Sequence, residues 1–147
     1  MFFLKDLPSK RMIEGYQDLA DDIGPKEILS ALEMMRKASV LVRDIEKYFA
    51  RHQLSQLKFL ILVVIDREPE KDALFIHEIA NKIDVSRPVI TRTIKDLSDA
   101  GLVTLTGDKR DKRAKLVTLT DAGKTNLHNV LPGYFACIRK FTMKYGV

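Results

Sequence analysis

The sequence predicts a mainly α-helical chain with a small β-hairpin, an α+β fold. Three observations carry that prediction. Apolar residues recur with a helical period through much of residues 26–100. After Gly101 the period drops to two and holds over two short runs separated by a polar stretch. From Thr120 onward a helical pattern returns. With 147 residues, 46% of them hydrophobic and 31% charged, the chain suits one packed domain and lacks the composition of a disordered one. It has no tryptophan, so leucine, isoleucine, valine and methionine must supply most of the core.

Residues 1–25 read as an N-terminal extension. Asp6, Glu14, Asp18, Asp21 and Asp22 stand against Lys5, Lys10 and Arg11, and Pro8, Gly15, Gly24 and Pro25 interrupt any long pattern. A short helix around Met12 to Leu19 is expected there. From Lys26 to Ala50 the pattern is strong. Ile28, Met35, Val42 and Phe49 recur every seven residues, and Ala31, Ala38 and Ile45 follow the first three at the spacing of a heptad seam. Pro25 suits the first turn of a helix. At 1.5 Å per residue the helix would be roughly 37 Å long. Part of such a rod belongs in its own core, and the rest is expected to meet a second subunit through Ile28, Met35 and Val42.

Ser55 is placed to cap a second helix running to about Glu68 and stopped by Pro69. Its centre, Phe59 to Ile65, is apolar throughout and β-branched enough to suit a buried strand, but the cap and the length favour helix. Ala73 to Ile76 reads as a short strand. Residues 77–83 put Ile79, Ala80 and Ile83 on one face, and Asp84-Val85-Ser86 forms a turn with Ser86 as N-cap. Residues 87–100 then place Ile90, Ile94 and Leu97 inward, with Gly101 as the stop. Two helices joined by about three residues, the second basic on its free side, make a helix-turn-helix. Leu102 to Thr106 and Lys115 to Leu119 pair as strands around a polar tip, residues 107–114, and complete a winged helix-turn-helix. The last helical region is expected to break at Pro132-Gly133 and to resume with Tyr134, Ile138 and Phe141 on one face, a second set of subunit-contact candidates.

The net charge is +5, and its distribution says more than its size. With Ile90, Ile94 and Leu97 inward, Arg87, Pro88, Thr91, Arg92 and Lys95 point outward. The N-terminal end of such a helix reaches base edges in the major groove of DNA. Arg92 suits a bidentate pair with guanine, and Val89 or Thr91 can meet a thymine methyl. Ser86 and the amides of the first turn suit a phosphate. The hairpin tip carries Lys109, Arg110, Lys112 and Arg113 beside Asp108 and Asp111, a cationic finger narrow enough for a minor groove.

The stretch from Leu54 to Thr120 resembles the multiple antibiotic resistance regulator (MarR) family. The likeness rests on Leu54, Ser55 and Leu57, on Ile76-His77-Glu78-Ile79-Ala80, on Val85-Ser86-Arg87-Pro88-Val89-Ile90-Thr91-Arg92, and on Leu97 with Ala100-Gly101-Leu102-Val103. Asp111-Lys112-Arg113 followed by Leu116-Val117-Thr118-Leu119-Thr120 and Gly123 is its most specific part. The resemblance implies a DNA-binding domain over 54–120 and dimerisation helices at 26–50 and 121–147. It further implies a homodimer reading a pseudo-palindromic operator, and repression relieved by a small aromatic or phenolic ligand or by oxidation. It assigns Arg113 to the minor groove and gives Asp111 the role of steadying arginine near the tip. Residues 1–25 exceed the family's usual lead.

Other classes find little support. Cys137 is the sole cysteine, so no disulfide framework or multi-cysteine metal site is available, and its aromatic neighbourhood reads as packing. None of His52, His77 and His128 has a second histidine at helical spacing, and no metal or other cofactor is expected. His77 reads as a capping or surface residue. No glycine-rich phosphate loop and no nucleophile beside a base suggests an enzyme. The longest apolar run, Phe59 to Ile65, falls far short of a membrane span, and the opening residues do not form a signal peptide, so a cytoplasmic setting is expected. A winged helix used for protein contacts would show an apolar outward face, unlike Arg87, Arg92 and Lys95. Another winged-helix regulator class would bring a metal-binding cysteine pair.

Overall fold

The computed structural model describes all residues except 1–3, 5, 17, 18, 20–22, 69, 70, 108–114 and 147. Two units make up the chain, residues 46–136 and residues 1–45 with 137–147. The first holds helix α3 (Gln56–Asp66), strand β1 (Ala73–Phe75), helices α4 (Ile76–Ala80) and α5 (Arg87–Asp99), and strands β2 (Val103–Gly107) and β3 (Lys115–Leu119). The second holds α1 (Lys10–Glu14). Helices α2 (Pro25–Arg51) and α6 (Asp121–Tyr145) contribute residues to both.

The ambiguous run Phe59 to Ile65 is helical. Ser55 accepts the Lys58 N–H at 3.2 Å and fixes the start, and Phe59, Ile61, Leu62, Val64 and Ile65 are all buried. A helix buried on most sides carries no clean period, which is why periodicity could not decide it. Around it lie Ile79 of α4, Ile90, Ile94 and Leu97 of α5, and Leu74, Val103 and Val117 of the sheet, each at most 2% exposed. Full burial of such side chains stabilises by about 1.5–3 kcal/mol each.

The sheet is antiparallel in the order β1-β3-β2. Leu74 stands opposite Val117, and Val117 opposite Leu105, so one row of apolar side chains crosses all three strands. The short strand at Ala73 thus has its partner in β3, over forty residues on, which the sequence left unspecified. Gly101 (φ 71°) ends α5 in a Schellman turn, with Leu102 N–H on the Leu97 carbonyl and Gly101 N–H on that of Ser98. The same motif ends α2, where Gln53 takes the left-handed position (φ 56°) and Leu54 N–H reaches the Phe49 carbonyl.

Three expectations need correction. α4 spans Ile76–Ala80, not 77–83, so the chain between the helix pair runs from Asn81 to Ser86 and is longer than three residues. Tight turns, Lys82 N–H to Ile79 and Val85 N–H to Ile83, take over where the helix was expected to continue. α1 lies at Lys10–Glu14, not Met12 to Leu19, because Ser9 caps it by accepting the Met12 N–H and Gly15 closes it. His77 is the surface residue that the sequence allowed, stacking on Phe75, while Glu78 does the capping by accepting the Phe75 N–H at 2.8 Å. The last helix does not break: α6 runs through Pro132 and Gly133. Pro132 has no N–H to return to the preceding turn. In that turn the Tyr48 hydroxyl donates to the Val130 carbonyl at 2.9 Å, and its ring occupies the space that a side chain on Gly133 would need.

Tyr48 belongs to an aromatic cluster. Phe49 and Phe59 lie 4.6 Å apart between ring centroids, and Tyr134 contacts both, at 5.8 Å and 4.8 Å. In the other unit Phe141 packs on Tyr145 and Lys37 lies 6.0 Å from the Tyr145 ring centre.

Candidate nucleic-acid interface

Helix α5 forms because its apolar positions fall on one side. Ile90, Ile94 and Leu97 are fully buried and Thr93 is 8% exposed, its hydroxyl returned to the Val89 carbonyl. That burial leaves Ser86, Arg87, Pro88, Val89, Thr91, Arg92 and Lys95 exposed, as the sequence placed them. No acid lies in the first turn. Among the described residues no carboxylate comes within ion-pair distance of Arg87, Arg92 or Lys95. Three cations thus share one face without forming an ion pair there, although Asp96 and Asp99 stand exposed on the same helix.

Ser86 sits at the N-cap, but its hydroxyl makes no capping bond. The Ser86 carbonyl takes the Val89 and Ile90 N–H groups, at 3.0 Å and 3.1 Å. Pro88 removes a further amide from the first turn. The supply of N–H groups for an anion is smaller there than a proline-free helix offers, and the Ser86 hydroxyl is the freer donor. The Thr91 hydroxyl is occupied by the Arg87 carbonyl at 3.0 Å.

A groove lined by the cations Arg87, Arg92, Lys95 and Lys115 and by the acids Asp96 and Asp99 runs along α5 beside the base of the hairpin. Lys115 joins it because the pleat gives it the same side of β3 as Val117 and Leu119, the buried row. Strand alternation in the sequence carries that information. Gly107 pairs with Lys115 at the last described step of the hairpin. The tip itself, with Lys109, Arg110, Asp111, Lys112 and Arg113, lies outside the described residues.

The base of the hairpin is tied to α5 and α6 together. Thr120 donates its hydroxyl to the Gly101 carbonyl at 2.7 Å and accepts the Gly123 N–H at 2.9 Å, while its own N–H reaches the Leu102 carbonyl at 3.1 Å. Behind α4, Glu78 accepts from Lys71 at 2.7 Å as well as from the Phe75 N–H. The Lys71 hydrogen bond first, then the Phe75 amide, hold its carboxyl below the usual glutamate range.

The residues expected at a subunit contact divide. Met35 is 53% exposed and Val42 37%, whereas Ile45 and Phe49 at the end of the same seam are buried within their own chain. Ile28, Ile138 and Phe141 are half-buried. Tyr134 is half-buried and committed to the Phe49–Phe59 cluster. Among the described residues no group of three or more His, Cys, Asp or Glu side chains could hold a metal ion, and no helix is long and apolar enough to cross a membrane.

Comparison with known proteins agrees with this arrangement. Residues 52–114 match the sequence model of the MarR family. The HTH-type transcriptional repressor YetL of Bacillus subtilis is 32% identical over 145 residues, covering 97% of this chain and 84% of the relative. Among solved structures, Sco3205 of Streptomyces coelicolor, a MarR-family regulator crystallised in complex with DNA, superposes with a TM-score of 0.77 at 21% identity, over 85% of this chain and 78% of that one. BpsR of Bordetella bronchiseptica, whose DNA binding is regulated by 6-hydroxynicotinic acid, gives 0.65 at 18% identity, over 74% and 75% of the two chains. These are regulators and not enzymes. A helix-turn-helix with exposed cations on its second helix, a three-stranded wing sheet and a relative this similar over nearly its whole length lead to one assignment: the chain belongs to the MarR family of transcriptional regulators.

Proposed function

We propose that the protein acts as a homodimeric repressor that grips a pseudo-palindromic operator and lets go when a small aromatic or phenolic ligand binds. The observation that carries this reading is the outward face of α5, where Arg87, Arg92 and Lys95 are exposed without a carboxylate partner among the described residues. Phosphates are the natural counter-charge for such a face. In this reading Ser86 and Arg87 hold a phosphate, Arg92 pairs with a guanine, Pro88, Val89 and Thr91 lie against base edges, and Lys95 contacts backbone. Lys109, Arg110, Lys112 and Arg113, with Asp111 beside them, supply the minor-groove contact. Residues 54–120 act as the DNA-binding domain.

The subunit contact is assigned to helices 26–50 and 121–147, through Ile28, Met35, Val42, Ile138 and Phe141, with Tyr134 acting from the core behind them. Of the twelve exposed large apolar side chains among the described residues, nine belong to the unit of residues 1–45 and 137–147, which holds far fewer than half the residues. So much apolar surface on one unit supports a second copy as its cover. Two recognition helices about 34 Å apart then meet successive major grooves. The repressor named among the relatives supports the direction of control, and the regulation of BpsR supports the ligand.

The test is selection of bound fragments from genomic DNA, followed by affinity measurement across a salt series with and without aromatic carboxylates. Binding to a two-fold related sequence with a steep salt dependence is expected, weakened by at least one such acid. Indifference to every duplex at low ionic strength would end this reading.

A further inference from the structure

We infer that Val89, with Val85 beside it, reads the 5-methyl group of a pyrimidine in the major groove, which makes the protein sensitive to that methyl wherever it occurs, in thymine or in 5-methylcytosine. The inference deepens the DNA reading of α5 and rests on it. In the unit of residues 46–136, the exposed large apolar side chains among the described residues are Val85, Val89 and Phe135. Two of these three lie at the entry to α5, 37% and 43% exposed, on the segment that carries Arg87 and Arg92, which form no ion pair among the described residues.

Helical geometry sets what Val89 can touch. It stands three positions before Arg92, on the same shoulder of the helix. It lies in the first turn, the part of a recognition helix that reaches base edges. Valine is stiff at χ1, so its methyl groups are held in one place. It offers no donor and no acceptor, and therefore has nothing to exchange with the polar atoms of a base edge. One apolar group exists on that edge of B-form DNA, the C5-methyl of thymine. Thr91 does not duplicate the contact: it is two positions away, on the opposite shoulder, and lines the groove with Lys95. A methyl on C5 of cytosine occupies the same place in the groove as that of thymine, so a valine surface has no means of telling the two apart.

The experiment uses the full-length protein and a duplex selected from genomic fragments by binding. Each thymine is replaced in turn by deoxyuridine, which removes the methyl and leaves every hydrogen-bonding atom unchanged. At one position per half-site the loss is expected to be about fourfold, the worth of one desolvated methyl. In Val89→Ala, checked for an unchanged circular-dichroism melt, the thymine and uracil duplexes should bind alike. With cytosine at that position, C5 methylation should tighten binding by a similar factor in the parent and not in the variant. A methyl effect at no thymine, or one of undiminished size in Val89→Ala, overturns the inference. Failure to bind any duplex would remove the DNA reading and this inference together, whereas tight binding with no methyl dependence removes this inference alone.

Discussion

A β-carbon on Gly123 would collide with the carbonyl oxygen of Leu102, which is itself fixed by accepting the Thr120 N–H. Neither backbone segment can give way without opening the joint between α5, the hairpin and α6. Gly123→Ala is therefore expected to cost about 2–3 kcal/mol, read as a thermal midpoint lowered by several degrees at fixed protein concentration. An unchanged midpoint would mean that the joint is loose. Arg92 makes the opposite kind of residue-scale prediction, because it is exposed and supports nothing in the fold. Arg92→Ala should leave the melt in place, weaken operator binding by about 1–3 kcal/mol and relax preference at one base pair. The outward residues of α5 were legible because three buried positions at helical spacing fix where all the others point. That the Ser86 hydroxyl makes no capping bond was not legible, since residue type at an N-cap does not fix which way its side chain turns.

At the scale of the element, Glu78 joins β1 to α4. Its carboxylate bonds Lys71 and the Phe75 amide, and its pKa is held down by both. A carboxyl with a lowered folded-state pKa stabilises fully above its unfolded value, near 4.3, and the contribution disappears as acidification passes through the folded value. Glu78→Gln keeps an acceptor for Phe75 but loses the charge. The parent should be more stable than Glu78→Gln by about 0.5–1 kcal/mol at neutral pH, and the two should converge on acidification below pH 4 in urea titrations. A difference that persists at low pH would assign the effect to shape instead of charge. The continuity of α6 through Pro132 shows why element boundaries escape a sequence reading. A proline and a glycine ordinarily end a helix, and here Tyr48, more than eighty residues earlier, packs where Gly133 has no side chain and donates to Val130. Tyr48→Phe should cost about 1–2 kcal/mol by leaving that buried carbonyl without its hydroxyl donor.

At the scale of the whole molecule the predictions concern assembly and charge. Met35→Lys combined with Val42→Lys puts two cations on the exposed part of the α2 seam; if the proposed dimer forms there, the variant should sediment as a monomer at micromolar concentration where the parent does not. Operator affinity should fall with it, since one module alone has a marginal interface. Arg113→Ala should instead leave the sedimentation of the parent unchanged, weaken all duplexes alike and lower the slope of log affinity against log salt by about one. Local pattern by itself determined the type and order of the main elements, the inward row of α5, the strands of the hairpin and the concentration of cations on one helix face and one turn. Each of these depends on neighbours a few residues apart, where spacing alone decides which side chains share a surface. Only the tertiary structure decided that α3 has no free face, that β1 pairs with β3, that the α2 seam is exposed at Met35 and buried at Phe49, and that α6 continues past its proline. Those outcomes turn on groups that meet across long stretches of chain, and no local spacing encodes which distant atom will fill a gap or take a hydrogen bond.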